Sequence, residues 1–276
     1  MPSGVVLVTG ASTGIGEATA LHLRELGFEA VAGVRRDEDA ERLEGQGLHT
    51  VRLDVTDEAQ IAEARESVDD APLAGLVNNA GLAVAAPLEY VPLDELRRQF
   101  EVNLIGQVAV TQAFLPALRR AGGRIVNVSS IGGRVAVPLL APYNASKFAL
   151  EAVSDSLRRE LRSQGVDVIV VEPGGVKTPI WRKGNELANE LSERMPPEGE
   201  RLYGRMIAGA REMTARIERE TGLPPRAVAE VIGKALTEDR PRTRYVVGNE
   251  AKVRAQLARF LPDRVMDRLV GRAFGG

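Results

Sequence analysis

Short apolar runs alternate with amphipathic segments of helical period along most of the chain. The runs, bounded by glycine or polar residues, predict buried strands, and the amphipathic segments predict helices. The predicted strands are Gly4–Thr9, Ala30–Val34, Leu48–Leu53, Gly75–Asn78, Arg124–Ser129, Val166–Glu172 and Arg244–Val247. The predicted helices are Gly14–Leu26, Thr56–Val68, Leu93–Arg120, Tyr143–Gln164 and residues 226–237. Strands separated by helices pair in parallel through right-handed crossovers. We therefore expect an α/β fold, a doubly wound parallel sheet of about seven strands with helices on both faces.

After Pro173 the pattern changes. Residues 179–225 are charged and helix-favouring, with breaks at proline pairs, which predicts an inserted segment of two helices that covers the substrate. Residues 250–276 form an Arg-rich, amphipathic tail. Because no linker or repeat interrupts the chain, we expect a single domain over residues 1–276.

Composition excludes several classes of protein. The chain has 276 residues, 44% hydrophobic and 27% charged, which is enough to bury a large core. A net charge of -2 argues against nucleic-acid binding. The absence of cysteine excludes disulfides, thiolate zinc sites and cysteine nucleophiles. His22 and His49 lie in different predicted elements without a carboxylate cluster, so we expect no metal site.

The ends of the chain bear on its location. The N-terminus opens on a strand-like run and lacks the pattern of a signal peptide. No stretch reaches the ~18 apolar residues of a membrane span, so we expect no span and a cytoplasmic location. Acidic residues between the arginines of the tail favour a solvated helix or subunit interface over membrane or nucleic-acid contact.

The sequence TGASTGIG, residues 9–16, follows the first strand and opens the first helix. Glycines there let the backbone turn sharply and approach a pyrophosphate, whose charge then lies at a helix N-terminus. With a strand before it and a helix after it, the motif predicts dinucleotide binding. The predicted contacts are Gly10, Ser12, Thr13, Gly14, Ile15 and Gly16.

The end of the second strand bears on the choice of dinucleotide. An acid there favours NAD, whereas arginine accommodates the additional phosphate of NADP. This chain has Arg35, with Arg36 as a helper, and so favours NADP(H) over NAD(H). The alternative is that both arginines point to solvent.

The ends of the third and fourth strands supply further candidate contacts. Asp54, followed by Val55, is expected to place a carboxylate over the adenine amino group, or to cap the next helix instead. The small and amide residues Asn79, Ala80 and Gly81 let the chain pass close under a cofactor and tie neighbouring strands together.

Candidate chemistry starts with Tyr143 and Lys147, one helical turn apart on one face. A tyrosine ordinarily ionises near pH ~10, and a neighbouring ammonium lowers that pKa. The lysine can also hold the nicotinamide ribose. Ser130, at the carboxyl end of the fifth strand, lies where open α/β sheets bind ligands and is placed to hydrogen-bond the substrate oxygen.

Asn103 falls in the middle of a long predicted helix, where asparagine is disfavoured. A solvated surface position is one interpretation. Apolar neighbours on both sides favour a buried site position instead, anchoring a water for a proton relay.

These motifs together resemble the short-chain dehydrogenase/reductase family over roughly residues 4–180. The resemblance rests on TGASTGIG, on NNAG at residues 78–81, and on the order and spacing of the four candidate polar residues. It implies a Rossmann-type fold and catalytic roles for Asn103, Ser130, Tyr143 and Lys147. It also implies that Tyr143 and Lys147 contact the cofactor, and that the nicotinamide end is held by Pro173, Gly174, Val176 and Thr178.

Residues 48–57, 146–161 and 171–181 resemble the retinol, 17β-hydroxysteroid and hydroxybutyrate dehydrogenase branch. That resemblance implies a hydrophobic secondary alcohol or ketone, of steroid- or retinoid-like type, as substrate. It also implies a homodimer or homotetramer formed through the two long helices. The residues expected to line an apolar pocket are Ile180, Trp181, Leu187, Leu191, Met195, Met206, Ile207 and Met213.

Two other classes of protein remain open at this point. Sugar-nucleotide epimerases and dehydratases also combine this fold with a tyrosine and a lysine, but usually carry a larger C-terminal domain. A nucleotide-sensing regulator would bind NADP without turnover. The complete set of Ser130, Tyr143 and Lys147 argues against the regulator.

Overall fold

The computed structural model describes residues 4–68 and 73–274. Its centre is a parallel sheet with the strand order β3-β2-β1-β4-β5-β6-β7. The strands are β1 (Val5–Val8), β2 (Glu29–Val34), β3 (His49–Arg52), β4 (Leu73–Asn78), β5 (Arg124–Val128), β6 (Asp167–Pro173) and β7 (Arg244–Val247). The seven strands confirm the predicted doubly wound sheet.

Helices cover both faces of this sheet. They are α1 (Gly14–Glu25), α2 (Asp37–Glu44), α3 (Glu58–Glu66), α4 (Leu93–Phe100), α5 (Gly106–Ala121), α6 (Ala141–Leu161), α7 (Pro179–Glu193), α8 (Pro197–Arg216), α9 (Pro225–Thr237), α10 (Asn249–Phe260) and α11 (Asp263–Ala273). In the described ranges, none of them combines the length and hydrophobicity needed to cross a membrane. The sequence pattern missed α2, which buries only Asp39 and Leu43 and therefore shows little apolar periodicity.

The side chains of β1 divide between two apolar cores. Val6 and Val8 pack with α1, α2 and α9 on one face of the sheet. Val5 and Leu7 pack with α3, α5 and α6 on the other face. Successive strand residues point to opposite faces, so a strand buried on both sides reads as a continuous apolar run.

The helix predicted over Leu93–Arg120 is interrupted. A π-helical turn at Glu101–Ile105 separates α4 from α5 and contains the buried Asn103. Gly106 follows, and a Cβ at that position would lie 2.5 Å from the Val55 carbonyl oxygen. The start of α5 therefore packs against the loop after β3. Single π turns within helices often occur at functional sites.

The segment after β6 forms α7 and α8, as the proline breaks predict. Helix α7 begins at Pro179, directly after the sheet, and α8 begins at Pro197. The tail is two helices, α10 and α11, where the sequence predicted one amphipathic segment.

Candidate active site

A cleft of about 330 Å³ crosses the carboxyl ends of the parallel strands. This is the edge where doubly wound sheets bind ligands. All four predicted catalytic residues, Asn103, Ser130, Tyr143 and Lys147, line it together with the glycine turn. The topology thus gathers residues that are widely separated in the sequence.

The glycine turn between β1 and α1 forms one wall of the cleft. Gly10 has a φ of +62°, and a Cβ there would lie 2.7 Å from the Ala80 Cα. Only glycine fits this left-handed conformation and close approach. The predicted contacts that line the cleft are Gly10, Ser12, Thr13, Gly14 and Ile15.

Gly16 does not line the cleft, contrary to the expectation of a cofactor contact. A Cβ on it would lie 2.3 Å from the Gly10 carbonyl oxygen and 2.6 Å from the Asn79 amide nitrogen. The residue therefore serves the close packing of α1 against the turn.

The segment after β4 passes directly beneath the glycine turn. Asn79 Nδ2 donates to the Thr9 and Gly10 carbonyl oxygens at 2.9 and 3.1 Å. Asn78 Nδ2 donates to Asn127 Oδ1 on β5 at 2.9 Å. These bonds confirm that the amides tie neighbouring strands together, and Asn79, Ala80 and Gly81 all line the cleft.

The two arginines after β2 have different surroundings. Arg35 lines the cleft; its side chain is 67% exposed, and its Nη1 lies 3.8 Å from Asp54 Oδ2. Arg36 does not line it, and its Nε donates to Asp39 Oδ2 at 2.9 Å. The helper role predicted for Arg36 is therefore not supported by its position.

Asp54 and Val55 line the cleft after β3. Asp54 accepts hydrogen bonds from the backbone and hydroxyl of Thr56. The N-cap of α3 is Asp57, whose side chain accepts two backbone N–H groups, so the capping alternative for Asp54 is wrong.

Arg42, in the last turn of α2, escaped the sequence analysis. Its Nη2 donates to the Ser12 carbonyl oxygen at 2.5 Å, and it also pairs with Glu17. This contact braces the glycine turn from outside. No sequence signal marked it, because α2 itself was not predicted.

Tyr143 lies in the first turn of α6, buried at the floor of the cleft. Burial raises its pKa, and a hydrogen bond with Ser130 partly offsets that rise. Ser130 also accepts a hydrogen bond from the Gly132 N–H at 3.0 Å. The two hydroxyl groups therefore meet in the cleft, as the prediction requires.

Lys147 lies one turn further along α6, with its ammonium group 5.9 Å from the centre of the Tyr143 ring. The ammonium group donates to the Val128 carbonyl oxygen at 2.8 Å. Burial lowers the pKa of Lys147 to about 8, although the Glu151 carboxylate opposes the change. The expected lowering of the Tyr143 pKa by Lys147 is absent, because the ammonium points to the β5 carbonyl and burial dominates at the phenol.

Asn103 is fully buried, so the interpretation as a surface residue is wrong. Its Oδ1 accepts the Leu82 N–H at 2.9 Å, and its Nδ2 donates to the Leu82 carbonyl oxygen and to Ser146 Oγ at 3.0 and 3.2 Å. The side chain joins the loop after β4 to α6. Its role in a water relay stays a prediction.

Two further amides, one turn to either side, hold the same loop. Gln99 accepts the Val84 N–H at 2.8 Å and donates to the Leu82 carbonyl oxygen at 2.8 Å. Gln107 donates to the Ala80 carbonyl oxygen at 2.7 Å. Sequence reasoning missed both. The available signal was three amides at four-residue spacing within an apolar helical stretch.

A network of ion pairs around the buried Glu172 lies next to the segment of α6 that contains Lys147. Glu172, at the end of β6, is fully buried, and its Oε2 lies 2.7 Å from Arg134 Nε. Arg244 of β7 reaches Glu172 at 3.4 Å and Glu151, one turn after Lys147, at 3.0 Å. The network fastens α6 to the end of the sheet, and its long sequence separations left no local signal.

The predicted residues of the nicotinamide end, Pro173, Gly174, Val176 and Thr178, all line the cleft. Of the predicted pocket residues, Ile180, Trp181 and Leu187 line it as well. Ile207 and Met213 line a second, adjoining pocket that also includes Trp181. Leu191 packs instead with Val84 and Ala86, and Met195 and Met206 line neither space.

The fold and the cleft define a dinucleotide-type α/β protein with a serine, a tyrosine and a lysine at the strand ends. The family model described as short chain dehydrogenase matches residues 4–189. The chain therefore belongs to the short-chain dehydrogenase family and is an oxidoreductase acting on CH–OH groups. This confirms the resemblance seen in the motifs.

Individual relatives span nearly the whole chain. The NADPH-dependent 3-dehydrocapnine reductase of Ornithobacterium rhinotracheale is 36% identical over 275 residues, covering 95% of this chain and 94% of the relative. Retinol dehydrogenase 16 of Homo sapiens is 37% identical over 276 residues, covering 96% and 87%. The crystal structure of a short chain dehydrogenase from Burkholderia cenocepacia in complex with NADP is 30% identical, with a TM-score of 0.76 and 97% coverage of both chains.

Proposed function

We propose that this oxidoreductase uses NADP(H) in preference to NAD(H) to interconvert a hydrophobic ketone and the corresponding secondary alcohol. One observation carries the proposal: Ser130, Tyr143 and Lys147 line the same cleft as the glycine turn. The NADPH-dependent reductase and the NADP complex among the similar proteins support the choice of cofactor.

The residues of the cleft fit a dinucleotide. Helix α1 begins at Gly14, so its free backbone N–H groups face the cleft and favour a pyrophosphate. The missing side chain of Gly10 leaves room for the close approach of Ala80. The bound nicotinamide would supply or accept the hydride. The proposed contacts are Gly10, Ser12, Thr13, Gly14, Ile15, Arg35, Asp54, Val55, Asn79, Ala80, Gly81, Tyr143, Lys147, Pro173, Gly174, Val176 and Thr178.

The preference for NADP(H) rests on Arg35. Its exposed guanidinium group lies at the cleft beside Asp54 and has no closer ionic partner than 3.8 Å among the described residues. A guanidinium in that state is available to a phosphate, which it binds with charge-assisted hydrogen bonds. Asp54 lines the cleft beside Arg35.

The proton transfer is assigned to Tyr143. Its raised pKa keeps the hydroxyl protonated at neutral pH, which suits donation of a proton to a carbonyl oxygen. Ser130, hydrogen-bonded to the same hydroxyl, orients the substrate oxygen. Lys147 fixes the floor of the cleft through the Val128 carbonyl oxygen. Asn103 holds the loop after β4 against α6 and so completes the proposed catalytic set.

The substrate class follows from the far end of the cleft. Leu82, Ile180, Trp181 and Leu187 line the same cleft as the catalytic side chains. Apolar walls with a few fixed polar groups favour a hydrophobic carbonyl compound. A steroid- or retinoid-like substrate is the specific form of this proposal, supported by the retinol dehydrogenase among the relatives.

A homodimer or homotetramer is part of the proposal. Ile105 and Phe148, on the helices predicted to associate, are 49% and 43% exposed. Light scattering coupled to size exclusion tests this: we expect an oligomer that Phe148→Asp weakens, and a wild-type monomer would contradict it. A cytoplasmic location and a single domain over residues 1–276 belong to the same proposal.

The test is a turnover screen of hydrophobic ketones and alcohols with NADPH and NADH in parallel. We expect reduction of apolar ketones with a higher kcat/KM for NADPH. Nucleotide binding without turnover across the screen would indicate the sensing regulator instead. Tightly retained NAD on the purified protein, with no net oxidation or reduction, would indicate the epimerase class.

A further inference from the structure

The C-terminal end of the described chain is anchored by one aromatic residue. Between residues 263 and 272, α11 buries none of its side chains. Phe274, directly after it, is only 3% exposed. Burying a phenylalanine side chain contributes ~1.5–3 kcal/mol, so this residue holds the end of the tail in place.

Phe274 enters the second pocket, which adjoins the main cleft. The two spaces share Ala83, Trp181 and Gly184 in their walls. Gly209 of α8 lies beneath the tail, where a Cβ would be 3.5 Å from the Phe274 carbonyl carbon. The side chain at the end of the tail therefore lines a space that shares part of its wall with the catalytic cleft.

Another part of the lining of this pocket is a loop held by a backbone hydrogen bond. Leu139 lines the pocket with a φ of +67°, a left-handed conformation that is costly for leucine. Its carbonyl oxygen accepts the Ala86 N–H at 2.9 Å, which holds the loop in position. Part of the lining is thus tied to the strand-end loops, whereas Phe274 comes from the end of a surface helix.

The space left between these walls is small. Its volume is about 50 Å³. A buried water needs ~10–15 Å³, so the pocket has room for on the order of four waters. An apolar substituent that reaches past Trp181 into this pocket therefore has room for only a few atoms.

We propose that Phe274 is a specificity-determining residue, the end wall that limits the length of the apolar substituent on the carbonyl substrate. The inference rests on the proposed function, because it assigns the second pocket to the substrate of that reaction. Its consequence is that the tail, far from the catalytic residues in sequence, selects among ketones.

The experiment compares Phe274→Ala, Phe274→Leu and Phe274→Trp with wild type over methyl ketones of increasing chain length. One readout is kcat/KM for reduction with NADPH. The other is quenching of Trp181 fluorescence, which reports binding directly because the chain has a single tryptophan lining both spaces. Phe260→Ala is the matched control, since Phe260 is 72% exposed on the neighbouring helix.

We expect Phe274→Ala to move the length limit to longer ketones, with about a tenfold gain for a ketone two methylenes past the wild-type limit. Phe274→Trp should shorten the limit. Phe274→Leu should lie between alanine and wild type while keeping the tail packed. Phe260→Ala should leave the profile as in wild type.

The outcomes separate the two proposals. If wild type reduces ketones and the Phe274 variants leave the length profile unchanged, even with a lower melting temperature, Phe274 is only a structural anchor and the inference is wrong. If ketones quench Trp181 with a length limit that follows residue 274 but no ketone is reduced, the proposed function fails and the pocket assignment holds. If wild type shows no quenching of Trp181 by ketones and no turnover of them, both proposals are wrong.

Discussion

The two halves of the cleft are built in different ways. The half proposed for the cofactor consists mainly of backbone and short side chains at strand ends, such as Gly10, Thr13 and Asn79. The half proposed for the substrate, with the pocket that adjoins it, consists of larger side chains from separate segments, among them Trp181 in the cleft and Phe274 in the adjoining pocket. Backbone geometry at strand ends is fixed by the sheet, whereas helices added after the sheet can vary without disturbing it.

This difference explains why the class of reaction is easier to assign than the substrate. In the proposed function, the strand-end residues determine a class of chemistry, because they present hydrogen-bonding groups and close backbone approaches to the cofactor. The proposed substrate half depends on the packing of α7, α8 and the tail, so we expect it to decide among substrates within that class. The following predictions test the two halves separately, first through activity and nucleotide binding and then through stability.

Among these variants, we expect Ser130→Ala to have the largest effect, a loss of kcat/KM through the chemical step. Loss of a hydroxyl that orients the substrate oxygen should lower kcat/KM by ~10²–10³-fold, while nucleotide binding persists. Steady-state kinetics and nucleotide titration measure the two effects. Ser129→Ala is the control, because the buried Ser129 hydroxyl has no hydrogen-bond partner among the described residues. Equal losses in both variants would contradict the assignment.

Arg35→Ala should affect only the cofactor half. Losing a charged hydrogen bond to the additional phosphate weakens NADPH binding by about 10–100-fold and leaves NADH binding almost unchanged. Arg36→Ala should change neither, since Arg36 is paired with Asp39. Calorimetric titration of both nucleotides checks this. An Arg36 variant with the larger effect would reverse the assignment.

Asn103→Ala tests the boundary between the halves. The substitution leaves the partly buried N–H and C=O of Leu82 without the partners that Asn103 provides. We expect the free energy of unfolding to fall by about 1–3 kcal/mol, measured by urea denaturation. Asn249→Ala, at an exposed position, should change it by about 0.5 kcal/mol or less. A stable Asn103 variant would argue against a structural bridge.

The smallest effect is expected in the pH dependence of stability. The pKa of Lys147 falls from 10.5 to about 8 on folding, so between these values the unfolded chain binds more protons. Stability relative to Lys147→Met should therefore rise with pH, by about 1–2 kcal/mol between pH ~8 and ~10. Below pH ~8 the difference should be constant. Urea denaturation of both proteins across this range measures it, and a falling difference would contradict the burial of a charged ammonium.

The sequence was most informative where local chemistry and the fold agree. The strands, the glycine turn and the site positions of Tyr143 and Lys147 follow from apolar runs, a φ requirement and a helical spacing. Gly16 and Arg36 do not line the cleft. A motif identifies a neighbourhood without saying which atoms face the ligand. The structure gives them packing and ion-pair contacts instead.

Features that depend on distant packing were beyond the sequence. The π turn around Asn103 is hidden because apolar periodicity continues through it. The ion network joins Arg134, Glu172 and Arg244 across three segments, and Phe274 is buried by helices that follow the sheet. The direction of the Tyr143 pKa shift also depended on burial, which a Tyr-Lys spacing does not reveal.

The most direct test of the central claim is Tyr143→Phe, assayed for both NADPH binding and ketone reduction. Phenylalanine keeps the buried ring and removes the hydroxyl that we propose as the proton donor. We predict that kcat/KM falls by ~10²–10⁴-fold or more, while NADPH binds as in wild type. A Phe variant that reduces ketones at the wild-type rate would contradict the account.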